Sequence, residues 1–258
     1  MKRTVEECVV MAMDGTDTGL FPFLPYILQD LWEIGTSAEV VLELLLKHKT
    51  DRSNLKVLDL GCGKGAVSIK LAQELNCFCI GIDAIQEFVT EARIKARELN
   101  VEEFCSFECG DLRERVSDLR DCDIVVLAAV GPVLGDYYST LTNVSKCLKG
   151  NGLIVIDDGY IDDKSEYSHP ITEKRSVILK QISDAGMELI DEIITTSDEM
   201  KETDDYIYGH VKRRCRELIE KHPDKKDLFT DYVKKQEEEN EALETKITCS
   251  TMLIGRNR

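Results

Sequence analysis

The chain has 258 residues, of which 43% are hydrophobic, and a formal net charge of −16 at neutral pH. This length and apolar content suffice for one large domain with a substantial core. A chain this acidic repels polyanions at long range, which argues against a nucleic-acid substrate. The sequence contains no signal-peptide pattern and no apolar run of membrane-spanning length, so we expect a cytoplasmic protein without membrane contact.

Ten cysteines raise the question of a metal site or a disulfide framework. Cys77 and Cys79 alternate in a strand pattern, which sends both side chains to one face. No second Cys or His pair has a zinc-like spacing. We therefore expect no metal ion, and we expect most of these cysteines to be small core residues in a reducing compartment.

Two patterns precede the first predicted strand. Residues 20–32 are rich in aromatic side chains and are interrupted by prolines. Residues 37–47 carry Val40, Val41, Leu44 and Leu45 at helical spacing, so they predict a helix that leads into the first strand.

Residues 57–65 are the most informative stretch of the chain, with the sequence Val-Leu-Asp-Leu-Gly-Cys-Gly-Lys-Gly. They predict a buried strand that ends in a turn with Gly61, Gly63 and Gly65 at alternate positions. Residues 66–76 then have a helical pattern. Such a turn lets the backbone approach a ligand and aims the N–H groups of the following helix at it.

The glycines alone do not identify that ligand. Gly61, Gly63 and Ala66 also fit the dinucleotide fingerprint, in which the loop approaches a pyrophosphate. Asp59 favours a different ligand, because a carboxylate at the end of the strand would repel phosphates and attract an ammonium group. S-adenosylmethionine carries such an ammonium group.

Further strand patterns follow in regular order. Residues 79–83 end in Asp83, and residues 104–109 run into Gly110, Asp111 and Leu112. Residues 123–129 are almost entirely apolar, as expected for a strand covered on both faces. Residues 148–157 predict the end of a helix, a glycine turn and a fifth strand.

In this order the motifs resemble those of the class I S-adenosylmethionine-dependent methyltransferases, and the resemblance covers residues 54–159. The closest likeness is to the small-molecule, ubiquinone-biosynthesis-like group. It implies an α/β, doubly wound Rossmann-like fold with a seven-stranded, mostly parallel sheet, and S-adenosyl-L-methionine as cofactor. It also implies that Asp83 holds the ribose hydroxyls and that Asp111 meets the adenine amino group. The expected cofactor-binding residues are Asp59, Gly61, Cys62, Gly63, Gly65, Asp83, Ala84, Gly110, Asp111, Leu112 and Ala129.

The three acids also have a structural interpretation. Asp59 could cap the turn, Asp83 could start a helix from residue 85, and Asp111 could be the N-cap of a helix over residues 112–118, because aspartate is favoured at such positions. However, all three follow strands, and open α/β sheets bind ligands at the carboxyl ends of their strands. One ligand with an amine, a diol and an adenine would use all three.

The remaining elements complete the predicted sheet. Residues 171–186 predict a helix, residues 187–195 a sixth strand and residues 246–254 a seventh. Between the last two strands, a charged, helix-prone insertion is divided by Pro223. We expect a lid over residues 1–53, a core of residues 54–195 and 246–258, and an insertion over residues 196–245. The insertion could cover the acceptor pocket, form a homodimer contact or bind a protein partner, and we favour pocket cover together with a homodimer contact.

The resemblance implies an enzyme that transfers a methyl group to a small-molecule acceptor by in-line displacement. N-terminal segments in this family often close over the cofactor, so residues 20–32 are interpreted as part of the lid. The residues expected to line the acceptor pocket are Tyr26, Trp32, Tyr137, Asp157 and Tyr160; none is identified as catalytic. Three alternatives stay open: a protein methyltransferase, a non-catalytic S-adenosylmethionine-binding protein and a nicotinamide-dependent oxidoreductase.

Overall fold

The computed structural model describes residues 3–49 and 54–257. Within them, seven strands form one sheet. They are β1 (Lys56–Leu60), β2 (Phe78–Asp83), β3 (Cys105–Cys109), β4 (Cys122–Ala128), β5 (Leu148–Tyr160), β6 (Met187–Ile194) and β7 (Thr248–Arg256). The strand order is β3-β2-β1-β4-β5-β7-β6, and β7 is antiparallel to both of its neighbours, whereas β1 to β5 pair in parallel. The predicted seven-stranded, mostly parallel sheet is confirmed.

The helices are α1 (Val5–Ala12), α2 (Leu24–Ile27), α3 (Ala38–His48), α4 (Ala66–Leu75), α5 (Gln86–Glu98), α6 (Leu112–Arg115), α7 (Tyr137–Val144), α8 (Arg175–Asp184), α9 (Ser197–Lys221) and α10 (Lys226–Thr245). Short 3-10 turns occupy Thr18–Phe23, Ser145–Cys147 and Pro223–Lys225. None of the helices in the described part of the chain combines the length and the apolar character that crossing a bilayer requires.

Strand alternation divides the core into two layers. Val57 packs with residues from α3, α4 and α5, whereas its neighbours Leu58 and Leu60 pack on the opposite face, with residues from α7 and α8. Because successive side chains of a strand point to opposite faces, a strand that is apolar at nearly every position must be covered on both sides. The sheet therefore lies between two helical layers, and its carboxyl edge stays accessible.

The lid segment and the insertion share a third apolar cluster. Leu24 and Ile27 of α2 pack with Val211 of α9 and Phe229 of α10. Asp30 supports this contact, because its carboxylate accepts hydrogen bonds from two arginines of α9, Arg213 and Arg214. Pro223 begins the short turn between α9 and α10, as predicted. The lid boundary predicted at residue 53 lies outside the described residues.

Three local differences from the predictions have structural causes. Helix α1 was not predicted. Strand β5 already begins at Leu148, and its glycine-containing start is accommodated as an irregularity, since Cys122 pairs with Leu148 but Ile124 pairs with Leu153. Helix α8 begins at Arg175 rather than near residue 171, because the backbone around residue 174 forms an isolated bridge with Ile161.

The cysteines behave largely as core residues. Seven of the ten are buried, and all ten carry unpaired thiols. The sulfur atoms of Cys77 and Cys79 lie 3.6 Å apart on the same face of β2 and its preceding turn. Cys109 is the exposed exception.

Candidate cofactor-binding site

Two adjoining cavities lie at the carboxyl edge of the sheet. Both are lined by Gly61, Gly63, Ala128 and Ile34, so they share a wall formed by the glycine turn, the end of β4 and the lid. The first cavity is further lined by Val5, Cys8, Val9, Ala12, Met13, Asp83, Ala84, Ile85, Asp111, Leu112, Arg113, Ala129, Val130 and Val133. The second is further lined by Trp32, Glu33, Thr36, Asp59, Cys62, Lys64, Ala66 and Val67.

The glycine turn is held against β2. The amide groups of Gly61 and Cys62 both donate to the carbonyl of Ile82, at 2.8 and 3.1 Å. Gly61 has φ +78°, and a Cβ there would lie 2.0 Å from Cγ1 of Val130. Gly63 has φ +51°, and a Cβ there would meet no atom within 4 Å. The backbone at Gly63 is therefore open to the cavities.

Gly65 differs from the other two glycines because it lines neither cavity. It precedes α4 with φ +81°, and a Cβ at this position would lie 2.8 Å from the ring of Phe107. Its role in this structure is the close packing of α4 on β3, which a larger residue would prevent.

Asp59 is a buried carboxylate with an unpartnered oxygen. The residue is 1% exposed, and its Oδ2 accepts a hydrogen bond of 2.7 Å from the hydroxyl of Ser68. Its Oδ1 has no hydrogen-bond partner among the described residues. Burial, together with the nearby charge of Asp83, raises the pKa of Asp59 to about 6. A buried carboxylate oxygen without a hydrogen-bond partner is suited to accept a hydrogen bond from a cationic group such as an ammonium group.

Asp83 joins the glycine turn to the start of α5. Its Oδ2 accepts from the amide of Gly63 at 2.9 Å, and its Oδ1 accepts from the amide of Ile85 at 2.8 Å. Burial raises the pKa of this carboxyl group. Each carboxylate oxygen can accept a second hydrogen bond, so the group retains capacity for a diol. Ala84 lines the cavity beside it.

Asp111 is engaged by Arg113. Its carboxylate caps α6 by accepting from the amide of Arg113 at 2.9 Å, and it accepts from the guanidinium group of the same residue at 2.7 to 3.0 Å. The structural alternative of an N-cap is therefore present. The guanidinium group also donates to the carbonyl of Arg3 at 2.7 Å, so it connects Asp111 to the segment that enters α1. Gly110 lines neither cavity; its amide donates to the carbonyl of Asp83.

Ala129 follows β4 in a left-handed conformation, with φ +53°. A residue with a Cβ adopts this conformation at a cost of order 1–3 kcal/mol, which the surrounding structure must offset. Its amide donates to the carbonyl of Asp157 at 3.3 Å, and the residue lines the first cavity. The chain thus turns sharply where β4 meets the cavity.

The wall contributed by α1 was missed by the sequence analysis. Five residues of this segment line the first cavity: Val5, Cys8, Val9, Ala12 and Met13. Their spacing of three and four residues is that of one helical face, and Thr4 with Glu7 forms a capping box at the start of the helix. Both signals are present in the sequence and would have identified the helix.

The predicted acceptor residues are dispersed. Trp32 lines the second cavity, and its indole N–H donates to the carbonyl of Lys64 at 3.2 Å. The other four line neither cavity. Tyr26 donates to Glu217, Tyr137 donates to Asp158, Asp157 accepts from Thr36 and Thr251, and the ring of Tyr160 lies under the guanidinium group of Arg175. Across the described residues, no group of three or more His, Cys, Asp or Glu side chains is arranged to hold a metal ion.

Comparison with known proteins identifies the family. Residues 51–237 match a family described as "Methyltransferase domain". A sterol 24-C-methyltransferase from Debaryomyces hansenii is 28% identical over 167 residues, which are 57% of this chain and 44% of that protein. A ubiquinone biosynthesis O-methyltransferase from Rickettsia akari is 31% identical over 120 residues, which are 46% of each chain. The matched region thus spans less than half the length of either relative.

The fold has close structural relatives. A SAM-dependent methyltransferase from Geobacter sulfurreducens, solved in complex with S-adenosyl-L-homocysteine, superposes with a TM-score of 0.77 at 18% sequence identity. The match covers 92% of this chain and 98% of that one. The chain therefore belongs to the methyltransferase domain family and has the fold of the class I S-adenosylmethionine-dependent methyltransferases, which confirms the resemblance seen in its sequence.

Proposed function

We propose that this chain is an S-adenosylmethionine-dependent methyltransferase that transfers a methyl group to a small-molecule acceptor. The observation that carries the proposal is the buried Oδ1 of Asp59, which has no partner among the described residues. Asp59 lines a cavity beside the open backbone of Gly63. An unpaired buried carboxylate is costly, and a ligand with an ammonium group offsets that cost.

The other site residues then take complementary roles. Asp83 would hold the ribose hydroxyls, and Asp111 would meet the adenine amino group with Arg113 still bound to it. Gly61 and Gly63 let the backbone approach the ligand. The walls of the site would be formed by Cys62, Ala84, Leu112 and Ala129, while Gly65 and Gly110 act by keeping the turns in place. When bound, S-adenosylmethionine supplies a methyl group on a positively charged sulfur.

The chain's own contribution to the reaction is orientation and exclusion of water. The apolar face of α1 forms one wall of the first cavity, and Ile34 of the lid lies between the two cavities. Together they border the cavities at the end of β4. No general base is assigned, because an in-line displacement does not need one for every acceptor.

A small acceptor fits this enclosure better than a protein does. The cavities lie beneath the lid, and the lid is packed against α9 and α10. The similar sterol and ubiquinone methyltransferases also carry the names of small acceptors. In this scheme residues 54–195 and 246–258 form the cofactor-binding core, and residues 196–245 cover the acceptor site.

The oxidoreductase alternative is disfavoured by two observations. A dinucleotide-binding sheet has the strand order 3-2-1-4-5-6, whereas this sheet carries the antiparallel β7 between β5 and β6. The buried carboxyl group of Asp59 would also repel a pyrophosphate.

Calorimetric titration with S-adenosylhomocysteine and, separately, with NAD tests the cofactor. We expect micromolar binding of S-adenosylhomocysteine alone and its loss in Asp59→Asn, while Glu98→Gln, an exposed carboxylate on α5, binds like the wild type. Binding of NAD alone, or unchanged affinity in Asp59→Asn, would overturn the assignment. Methyl-labelled S-adenosylmethionine added with a cell extract then tests the acceptor: label in the low-mass fraction supports a small molecule, and label confined to protein contradicts it.

A further inference from the structure

A third cavity, of about 520 Å³, lies beside the first. It is formed by α6 and the residues that follow it, by the loop after β4 and by the end of α7. We call it the basic cavity, because the charged residues that line it are Arg113, Arg120 and Lys146. Arg113 and Val133 also line the first cavity, so the two cavities share a wall. Its size lies within the range of roughly 300–1,000 Å³ that is typical of small-molecule sites.

The chain does not neutralise the positive charge of the basic cavity. Arg120 donates to the carbonyl of Leu119 at 2.6 Å, and Lys146 donates to Oδ1 of Asn143 at 3.3 Å. Across residues 3–49 and 54–257, neither cation forms an ion pair with a carboxylate, and no acidic residue lines the cavity. In the whole chain, by contrast, 49 acidic residues outnumber 33 basic ones. The basic cavity is therefore a local reversal of the charge of the chain.

Two further cations lie behind the lining residues. The amino group of Lys56 donates to the carbonyl of Arg120 at 3.0 Å. The guanidinium group of Arg256 donates to the carbonyl of Ser145, the neighbour of Lys146 in the sequence, at 2.8 Å. Both Arg120 and Lys146 are exposed, so a ligand can reach them. The surrounding residues thus add to the positive charge of the cavity.

Asp118 does not act as the missing counterion. Its carboxylate accepts a hydrogen bond from the hydroxyl of Ser117 at 3.0 Å and lies 3.7 Å from the guanidinium group of Arg115, and the residue does not line the cavity. Arginine and lysine side chains are charged at neutral pH, so their mutual repulsion is relieved by a bound anion and not by the loss of a proton. The basic cavity is therefore suited to an anionic ligand.

The uncharged part of the lining indicates an organic ligand. Val116, Val133 and Leu134 supply apolar surface, while Ser117 and Asn143 supply a hydroxyl and an amide group. Because its Oδ1 already accepts a hydrogen bond, Asn143 has its amide N–H groups to donate. An apolar surface beside a few polar groups that fix orientation is typical of sites for small organic molecules.

We propose that the basic cavity binds a phosphate monoester of a small, partly apolar molecule. A phosphate monoester carries a charge of about −1.5 to −2 at neutral pH and three acceptor oxygens, which match Arg120, Lys146 and the amide of Asn143. The apolar part of the molecule covers Val116 and Leu134, which inorganic phosphate would leave in contact with water. The net charge of −16 repels long polyanions, so a small ester is favoured over a nucleic acid.

Arg113 connects this site to the proposed cofactor site. Its guanidinium group is bound to Asp111 and to the carbonyl of Arg3, and the residue lines both the basic cavity and the first cavity. A phosphate that accepts from another N–H of this group holds Asp111 and α1 in place. The ester and S-adenosylhomocysteine should then raise each other's affinity, because coupling between two sites is reciprocal. This coupling rests on the proposed function, whereas the anion site does not.

The test is calorimetric titration of the full chain with phenyl phosphate as the probe. Phenol, benzoate and inorganic phosphate are titrated in parallel, because they lack the charge, the phosphate group and the apolar group, respectively. We expect phenyl phosphate to bind more tightly than all three. Arg120→Met and Lys146→Met should each weaken its binding about tenfold, as for one lost hydrogen bond to a charged group. Arg97→Met is the matched control, since Arg97 is exposed on α5 and also donates to a nearby carbonyl, that of Arg93.

The outcomes separate this inference from the proposed function. Absence of phenyl phosphate binding to the wild type, or unchanged affinity in both Arg120→Met and Lys146→Met, overturns the inference even if S-adenosylhomocysteine binds. Benzoate that binds as tightly overturns the choice of phosphate, inorganic phosphate that binds as tightly overturns the organic ligand, and a short RNA that binds more tightly overturns the small molecule. Phenyl phosphate binding without S-adenosylhomocysteine binding overturns the proposed function and leaves the anion site in place. Equal phenyl phosphate affinity with and without bound S-adenosylhomocysteine overturns the coupling through Arg113.

Discussion

Lys64 joins the glycine turn to the lid through a buried hydrogen bond. Its Nζ donates to the backbone carbonyl of Leu28 at 2.9 Å and forms an ion pair of 2.8 Å with Glu91, and its side chain is only 2% exposed. Trp32 reinforces the connection, because its indole N–H donates to the carbonyl of Lys64. The glycine turn and the segment that contains Leu28 and Trp32 are therefore held as one unit.

Removing this ammonium group should loosen both partners. We expect Lys64→Met to lower the free energy of unfolding by about 2 kcal/mol, because the buried carbonyl of Leu28 loses its donor. The affinity for S-adenosylhomocysteine should fall with it. The control is Lys70→Met on α4, whose amino group forms ion pairs with Glu39 and Glu74 at the surface and should matter little. Urea unfolding of both variants checks the prediction, and equal losses would contradict it.

The protonation of Asp59 should control cofactor affinity. With a pKa of about 6 in the free protein, this carboxyl group must lose its proton before it can pair with an ammonium group. The affinity for S-adenosylhomocysteine should therefore fall by up to about tenfold for each pH unit below about pH 6. Titrations from about pH 5 to about pH 8 measure this profile. In Asp59→Asn the affinity should be low and its profile flat over the same range; a wild-type slope in that variant would exclude Asp59 as the titrating group.

The carboxyl group of Asp59 should also make the free energy of unfolding depend on pH, with a sign opposite to that of the cofactor affinity. Because the pKa of Asp59 is higher in the folded than in the unfolded chain, the native state holds more protons between about pH 4 and pH 6. The free energy of unfolding then decreases as the pH rises through this window, by up to about 3 kcal/mol. Burial also raises the pKa values of Asp14 and Asp204, which therefore act with the same sign. Asp59→Asn should remove the contribution of Asp59 to this pH dependence. Urea unfolding of the variant and the wild type at about pH 4 and about pH 6 would detect the difference.

Two glycines of the turn should respond differently to alanine. In Gly61→Ala the new Cβ would collide with Val130, so we expect a loss of both stability and cofactor binding. In Gly63→Ala the Cβ has room, and the positive φ costs only about 1 kcal/mol. That Cβ would, however, occupy the space where a ligand approaches. Gly63→Ala should thus fold with modest loss yet bind S-adenosylhomocysteine poorly; normal affinity would place the ligand elsewhere.

Local sequence patterns were sufficient to predict the strands of the sheet. Runs of apolar residues predict β1, β2 and β4, because buried parallel strands need apolar side chains on both faces. The positions of Asp59 and Asp83 at strand ends follow directly from those runs. Their hydrogen-bond partners, Ser68 for the first and the amide of Gly63 for the second, depend on how α4 and the turn fold back.

Contacts between distant segments could not be predicted in this way. Tyr26 is aromatic and lies in the lid, so the sequence suggested a role in the acceptor pocket. Its partner Glu217 lies 191 positions away on α9, and the sequence around Tyr26 does not predict this contact. Arg113 likewise meets Arg3 only because α1 folds over the first cavity. The homodimer contact suggested for the insertion stays a prediction.

Arg113 should hold α1 in place over the first cavity. It binds the carboxylate of Asp111 through its guanidinium group and donates to the carbonyl of Arg3, so its removal frees the segment that enters the helix. We expect Arg113→Met to speed amide hydrogen exchange across α1 and to accelerate dissociation of S-adenosylhomocysteine. Arg115→Met is the matched control, because Arg115 pairs with Glu108 at the surface. Unchanged exchange in Arg113→Met would show that α1 is held by its apolar face alone.

Tyr26 and Trp32 offer a final contrast within the lid. The hydroxyl of Tyr26 donates to Glu217 and accepts from Lys221 at 2.7 Å, so Tyr26→Phe removes only a lid–insertion contact. We expect a stability loss of about 1 kcal/mol and unchanged cofactor affinity. Trp32 lines the second cavity beside Asp59, so Trp32→Ala should open it to water and weaken S-adenosylhomocysteine binding. Calorimetry and urea unfolding on both variants separate the roles. Weaker S-adenosylhomocysteine binding in Tyr26→Phe, with unchanged binding in Trp32→Ala, would contradict these roles. It would mean that the lid acts through its contact with α9 rather than by covering the turn.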